Sequence, residues 1–175
     1  MDKKHSKILK VGILGSLFDP PHRGHLFLAR TALKTAVIDE VWLMPNYSHP
    51  WREAKESAQD RLAMCRLLVK NEQQIKVSEM EITRQGKSYT IDTVRQLKKQ
   101  YPNYHFYWIM GNDRLIDLNK WKNIKQLLKE IEFIVLPKIK ISSTMIRGRL
   151  KNQLSIIDLV PKEIEGYIKK HRLYL

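Results

Sequence analysis

Disulfides are excluded by the cysteine content: Cys65 is the only one in 175 residues. A cytosolic, reduced protein is the expectation, with Cys65 a small buried hydrophobe on the apolar face of a helix. Long apolar runs are also missing, so no segment is suited to span a membrane and no membrane partner is expected. The start, Met1-Asp-Lys-Lys-His-Ser-Lys7, is basic, but no small-residue cleavage site follows the short apolar run after it, so no signal peptide is expected. There is no linker, repeat or low-complexity tract, and residues 1–175 are read as a single domain.

Two common nucleotide fingerprints are missing as well. No G-x-G-x-x-G occurs. Gly86-Lys87-Ser88 ends like a Walker A loop, but the glycine that pattern needs would fall at position 81, which is Glu81. Nor is there an arginine-rich or aromatic-interleaved basic tract, although the net charge is +14, from 32 Lys and Arg against 18 Asp and Glu. Pairs such as Lys98-Lys99 and Lys169-Lys170 are scattered. This pattern describes a solvated basic surface that favours anionic ligands, not a nucleic-acid partner.

What is present is an alternation. Apolar runs at Ile8–Leu14, Val41–Met44, Ile75–Ile82, Tyr104–Met110 and Ile131–Leu136 predict about five strands. Helical spacing falls between them: Leu26 to Val37, Ala58 to Val69 opened by Ser57 and Asp60, Ile91 to Leu97 with Thr90 as a possible cap, and Trp121 to Leu128. Two more helices follow, one opened by Ser142-Ser143-Thr144 and one by Pro161. The order predicts an α/β domain with a doubly wound, mainly parallel sheet and C-terminal helices. Ligands of such sheets sit at the carboxyl ends of the strands. The loops rich in chemistry all follow strands: Gly15–His25, Asn46–Arg52, Gly111–Asp113 and Ile141–Arg147.

The first of these, Gly15-Ser-Leu-Phe-Asp-Pro-Pro-His-Arg-Gly-His25, runs from a strand into a helix start, where free N–H groups and a partial positive charge favour phosphate. His22 and His25 lie one helical turn apart and can donate to the same phosphate oxygens, while Gly24 lets a phosphate approach the backbone. Zinc is the rival use of the two histidines, with His49 as a third ligand, but no cysteine or carboxylate group shows ligand-like spacing nearby. No protein-held metal is expected. Ile141-Ser-Ser-Thr-Met-Ile-Arg147 forms a second anion site, with Arg147 four residues beyond Ser143 on the same helix face.

These two stretches resemble the paired signatures of the HxGH nucleotidyltransferases. Ser88-Tyr-Thr-Ile-Asp-Thr93, Gly111-Asn-Asp113 and Trp121 between them are similar to the bacterial nicotinate-nucleotide adenylyltransferase branch. The resemblance covers nearly the whole chain and implies a Rossmann-like fold. It also implies adenylyl transfer from ATP to nicotinate mononucleotide, with magnesium arriving on the ATP phosphates. In that reading His22, His25 and Arg147 are catalytic. Gly15, Ser16, Phe18, Gly24, Gly111, Asp113, Ser142, Ser143 and Arg147 bind ATP. Asn46, Arg52, Tyr89, Thr90 and Trp121 bind the pyridine mononucleotide.

Three features depart from the family pattern. Ser16-Leu17 stands where a second glycine and Thr or Ser are usual. Trp51 precedes Arg52 where histidine is usual. Only Pro137–Lys140 separates the last strand from Ile141. Nicotinamide mononucleotide, another phosphate acceptor, or a catalytically weakened nucleotide-binding homologue therefore stay open as alternatives.

Overall fold

The computed structural model describes residues 8–174, so the reading of Met1–Lys7 lies outside the described residues. The strands are β1 (Leu9–Ser16), β2 (Glu40–Pro45), β3 (Ile75–Val77), β4 (Tyr104–Gly111) and β5 (Glu132–Leu136). They form one sheet in the order β3-β2-β1-β4-β5, and every pairing is parallel. The helices are α1 (Arg23–Thr35), α2 (Ala58–Leu68), α3 (Met80–Arg84), α4 (Thr90–Gln100), α5 (Ile124–Glu130), α6 (Ser143–Lys151) and α7 (Lys162–His171). The expected doubly wound α/β sheet of five strands is what the chain forms.

Period-two alternation in the strands divides the core between the two faces. Leu14, Val41, Leu43 and Ile109 pack with α1, α2, α6 and α7 on one side. Val11, Ile13, Trp42, Met44, Phe106 and Trp108 pack with α3, α4 and α5 on the other. The order reverses between β1 and β4, whose neighbours lie on opposite sides. The carboxyl ends there, Ser16 and Gly111, open the crevice where ligands of such sheets bind.

Three local expectations are corrected. The strand expected through Ile82 ends at Val77, and Met80–Arg84 is helical. A strand would put Glu81 on the face opposite Met80 and Ile82. The helical turn instead buries all three, with Glu81 accepting from the Asn46 amide (2.8 Å) and the Thr93 hydroxyl. Trp121 is not helical: a 3-10 helix (Asn112–Lys120) precedes it, and α5 starts after Asn123, which is left-handed at φ 52°. This break turns the Trp121 indole edge-on to Trp108, 6.4 Å between centroids. Thr90 is the first residue of α4, and Tyr89 is its cap.

Other expectations match. Ser57 caps α2 by accepting from the Asp60 N–H (3.0 Å). Cys65 is fully buried, which pushes its thiol well above the usual range and keeps it protonated. Among the described residues no helix is long and apolar enough to cross a membrane.

Candidate active site

The Gly15–His25 stretch leaves β1, passes Phe18 in a left-handed conformation (φ 51°), and enters α1 with His22 as its N-cap. The two imidazoles stack, 3.8 Å between centroids, with the Phe18 ring 4.6 Å from His25. The His22 N–H donates to His25 Nδ1 at 3.2 Å. An imidazole that accepts at Nδ1 carries its proton on Nε2 when neutral. His25 therefore offers an Nε2–H donor. Burial lowers the pKa of His22 to about 4, and burial together with His22 and Arg114 lowers that of His25 well below 6.5. Both act as neutral donors at pH 7.

That burial has a stability consequence. The unfolded chain protonates such a histidine below about pH 6.5, whereas folded His22 stays neutral until about pH 4. The unfolded state thus binds the extra proton within that window. Stability is full above it and falls as pH drops through it, His22 accounting for roughly 3 kcal/mol over the whole window and buried His25 adding to the fall. Urea midpoints at pH 7.5 and 5 should show part of this fall, and His22→Asn should make it shallower. An unchanged slope in the variant would contradict the assignment.

The second anion element is the start of α6. Ser142 is its N-cap, accepting from the Met145 N–H at 3.2 Å. The Ser143 hydroxyl donates to Pro20 O (2.9 Å), and Arg147 Nη1 donates to Asp19 O (2.6 Å). Both hydroxyls are thus engaged in structure. What this helix start holds out for an anion is its first backbone N–H groups and the rest of the Arg147 guanidinium. The two anion elements, far apart in sequence, are tied to each other through Asp19 and Pro20.

The opposite wall comes from β2, α4 and the segment after β4. Asn46 is buried, and Ser88 Oγ accepts from the Tyr47 N–H (3.1 Å). Asp92 pairs with Lys122 (2.9 Å), whose ammonium lies 4.6 Å above the Tyr89 ring. Thr93 holds Glu81. In the Ser88–Thr93 motif, Ser88, Asp92 and Thr93 therefore fasten the wall, and Tyr89 and Thr90 face the cavity. Trp51 stands directly before Arg52, and His49 Nε2 lies 2.9 Å from the Arg52 guanidinium. An imidazole is thus supplied from three residues upstream.

One cavity of about 610 Å³ joins these walls. It is lined by Gly15, Ser16, Phe18, His22, His25, Asn46, Arg52, Tyr89, Thr90, Gly111, Asp113, Trp121, Ser142, Ser143 and Arg147. Of the sequence-predicted residues only Gly24 lies off it. A Cβ at Gly24 would stand 2.3 Å from Ile139 Cδ1 and 2.9 Å from His22 Nδ1. Its missing side chain makes room for those two groups, and the short connection after β5 supplies Ile139. At Gly15 a Cβ would meet the Trp108 indole at 2.6 Å, so the indole occupies that space.

Sequence reasoning missed Arg114, Lys120, Lys122 and Lys138, which add positive charge to the lining. It also missed Arg61, which is buried and donates to Leu17 O, Asn46 O, Tyr47 O and Glu56 O. The cations had no motif to mark them. Arg61 had one available signal, a charged residue beside Leu62 and Cys65 on an apolar helix face. Among the described residues no three His, Cys, Asp or Glu side chains converge as a metal site.

The family model described as cytidylyltransferase-like matches residues 13–149. A probable nicotinate-nucleotide adenylyltransferase of Bacillus licheniformis is 37% identical over 185 residues, covering 94% of this chain and 98% of that one. The nicotinate-nucleotide adenylyltransferase of Bacillus subtilis is 35% identical over 185 residues, with 94% and 98% covered. The Plasmodium falciparum nicotinic acid mononucleotide adenylyltransferase complexed with NaAD has the same fold, with a TM-score of 0.79, 22% identity, and 95% and 97% covered. The family match runs from β1 into α6 and so takes in both anion elements; the chain belongs to the cytidylyltransferase-like family and, within it, to the nicotinate-nucleotide adenylyltransferases.

Proposed function

We propose that the protein transfers the adenylyl group of ATP to nicotinate mononucleotide, giving nicotinate adenine dinucleotide and pyrophosphate. The observation that carries this is the convergence of the histidine pair, the α6 start and Arg147 on one cavity at the sheet's switch point. A mononucleotide phosphate oxygen attacks the α-phosphorus of ATP in line, and the bond to the β-phosphate oxygen breaks. The nucleophile is already ionised, so no protein base is needed and no covalent intermediate forms. Charge on the equatorial oxygens is met by neutral N–H donors from His22 and His25. The α6 start and Arg147 receive the leaving pyrophosphate.

Magnesium enters on the ATP phosphates, as is usual for this ion. The lining suits that division: it offers N–H groups and cations to the phosphates, its Asp19 carboxylate already accepts three hydrogen bonds, and its other carboxylates, Glu53, Asp113 and Asp117, do not converge as a metal site among the described residues. The pyridine end lies against Tyr89, Thr90 and Trp121. The partial positive charge at the start of α4 favours an acid over an amide on the ring, and Lys122 beside it is already paired with Asp92. The relatives carry the nicotinate name, which supports the same choice. The reaction suits a cytoplasmic enzyme. The loop backbone at Ser16 and Leu17 is fastened through its carbonyls, which accept from the Asn46 N–H and from Arg61.

The test is pyrophosphate release from ATP and magnesium with each acceptor. Release is expected with nicotinate mononucleotide, at a kcat/KM roughly tenfold or more above that for the nicotinamide form, the scale of one lost charged contact. No release with any acceptor would overturn the enzyme reading, and preference for the amide would overturn the substrate.

A further inference from the structure

Asp19 sits between the two anion elements and is 3% exposed. A carboxylate buried this far needs donors. Two come from the chain entering α2, the N–H groups of Lys55 (2.7 Å) and Glu56 (3.3 Å). The third is the Tyr174 hydroxyl, which donates to Oδ1 at 2.9 Å from 155 residues away. The tail reaches that point by a built path. Arg172 ends α7 in a left-handed conformation, Leu173 is buried, and Tyr174 is itself left-handed at φ 63°. The Tyr174 N–H donates to Glu56 Oε1 at 2.7 Å. Non-glycine residues adopt this backbone rarely, and here two of them turn the ring back over the start of α2. Burial and the Asp19 charge raise the phenol pKa far above its usual range, so the hydroxyl stays a donor.

The Asp19 side chain is held from one side while its backbone holds the site from the other. Its carbonyl takes Arg147, the next carbonyl takes Ser143, and His22 follows three residues later. Tyr174 itself does not line the cavity. We propose that Tyr174 is a positioning residue for adenylyl transfer, its hydroxyl fixing Asp19 and through it the relative placement of His22 and Arg147. This inference rests on the adenylyl-transfer reading above.

A second bond of the same kind provides the control. The Tyr167 hydroxyl on α7 donates to Asp60 Oδ1 on α2 at 2.9 Å, joining α7 to α2 without touching the Asp19 loop. Tyr174→Phe and Tyr167→Phe therefore each remove one phenol–carboxylate bond, the first to a buried carboxylate and the second to a half-buried one, and only the first leads to the site. The measurements are thermal midpoint, kcat for pyrophosphate release, and the ATP Kd by calorimetry. Tyr174→Phe is expected to lower kcat roughly tenfold and to weaken ATP binding about fivefold, the scale of a small misplacement of reacting groups. Tyr167→Phe is expected to lower the midpoint by less, with both constants within about twofold of the parent. A Tyr174→Phe variant with unchanged kcat and ATP Kd would overturn the proposal, as would equal functional losses in the two variants. The calorimetric arm needs no turnover. If the parent protein released no pyrophosphate, the adenylyl-transfer reading would fail, and the ATP comparison would still decide whether Tyr174 positions the phosphate site.

Discussion

Replacing His25 with alanine is expected to cut kcat for pyrophosphate release roughly a hundredfold or more, the scale of one lost transition-state donor. The expectation follows from the ring's placement. His25 Nδ1 is spent on the His22 N–H, so Nε2–H is its remaining donor. The ring is stacked on His22 and flanked by Phe18, so its orientation is set before ATP arrives, and preorganised donors cost no reorganisation during reaction. Alanine also removes the acceptor at the third position of α1 and leaves the His22 N–H without it. His25→Gln separates the two roles, because glutamine at that position can accept the cap bond as glutamate or glutamine does in a capping box. The glutamine variant should regain stability relative to alanine and still lose most of the rate. Steady-state kinetics with a urea midpoint for each variant tests both points. Near-parental kcat in the alanine variant would refute the role given to His25.

Arg61→Ala is expected to destabilise the fold by about 3–5 kcal/mol, a large fraction of the typical 5–15 kcal/mol. Arg61 is 1% exposed, and its guanidinium donates to four main-chain carbonyls: Leu17 (2.6 Å), Asn46 (2.7 Å), Tyr47 (3.1 Å) and Glu56 (3.2 Å). Those carbonyls belong to the loops after β1 and β2 and to the entry to α2, so one side chain joins three segments of the site's rim. Removing it leaves buried acceptors without donors, at a cost of about 1–3 kcal/mol for each that water cannot reach. The clamp at Leu17 also adjoins Phe18, whose left-handed backbone carries strain of order 1–2 kcal/mol. Arg61→Lys should recover only part of the loss, since an ammonium lacks the planar fork that spans four acceptors. Equilibrium unfolding in urea reads the effect directly. A change below about 1 kcal/mol would place Arg61 among ordinary surface cations.

The layout of the fold was legible from the chain because its signals are local. β1, β2, β4 and β5 follow from apolar runs, and the helices between them follow from spacing and from caps such as Ser57. The failures were also local patterns, outweighed by contacts from elsewhere. Ile75–Ile82 alternates well enough to read as a strand, but burial of Glu81 against Asn46 and Thr93 favours a helical turn. Trp121 has helical spacing with Ile124 and Leu128, but the left-handed Asn123 separates them. At Gly24 only packing shows what stands where a side chain would be, namely Ile139 and the His22 ring.

The sequence by itself determined that this is an alternating α/β chain with its chemistry on loops after strands. It also marked two of those loops as candidate anion sites, because strand periodicity, helix caps and the His22, His25 and Arg147 spacings are written within a few residues of one another. The tertiary structure alone decided which groups hold those loops in register. Arg61 finds carbonyls up to 44 residues away, Glu81 meets Asn46 across 35, and Tyr174 meets Asp19 across 155. A buried charge or hydroxyl must satisfy whatever donors and acceptors the finished packing places beside it, and no local pattern in the chain records those neighbours.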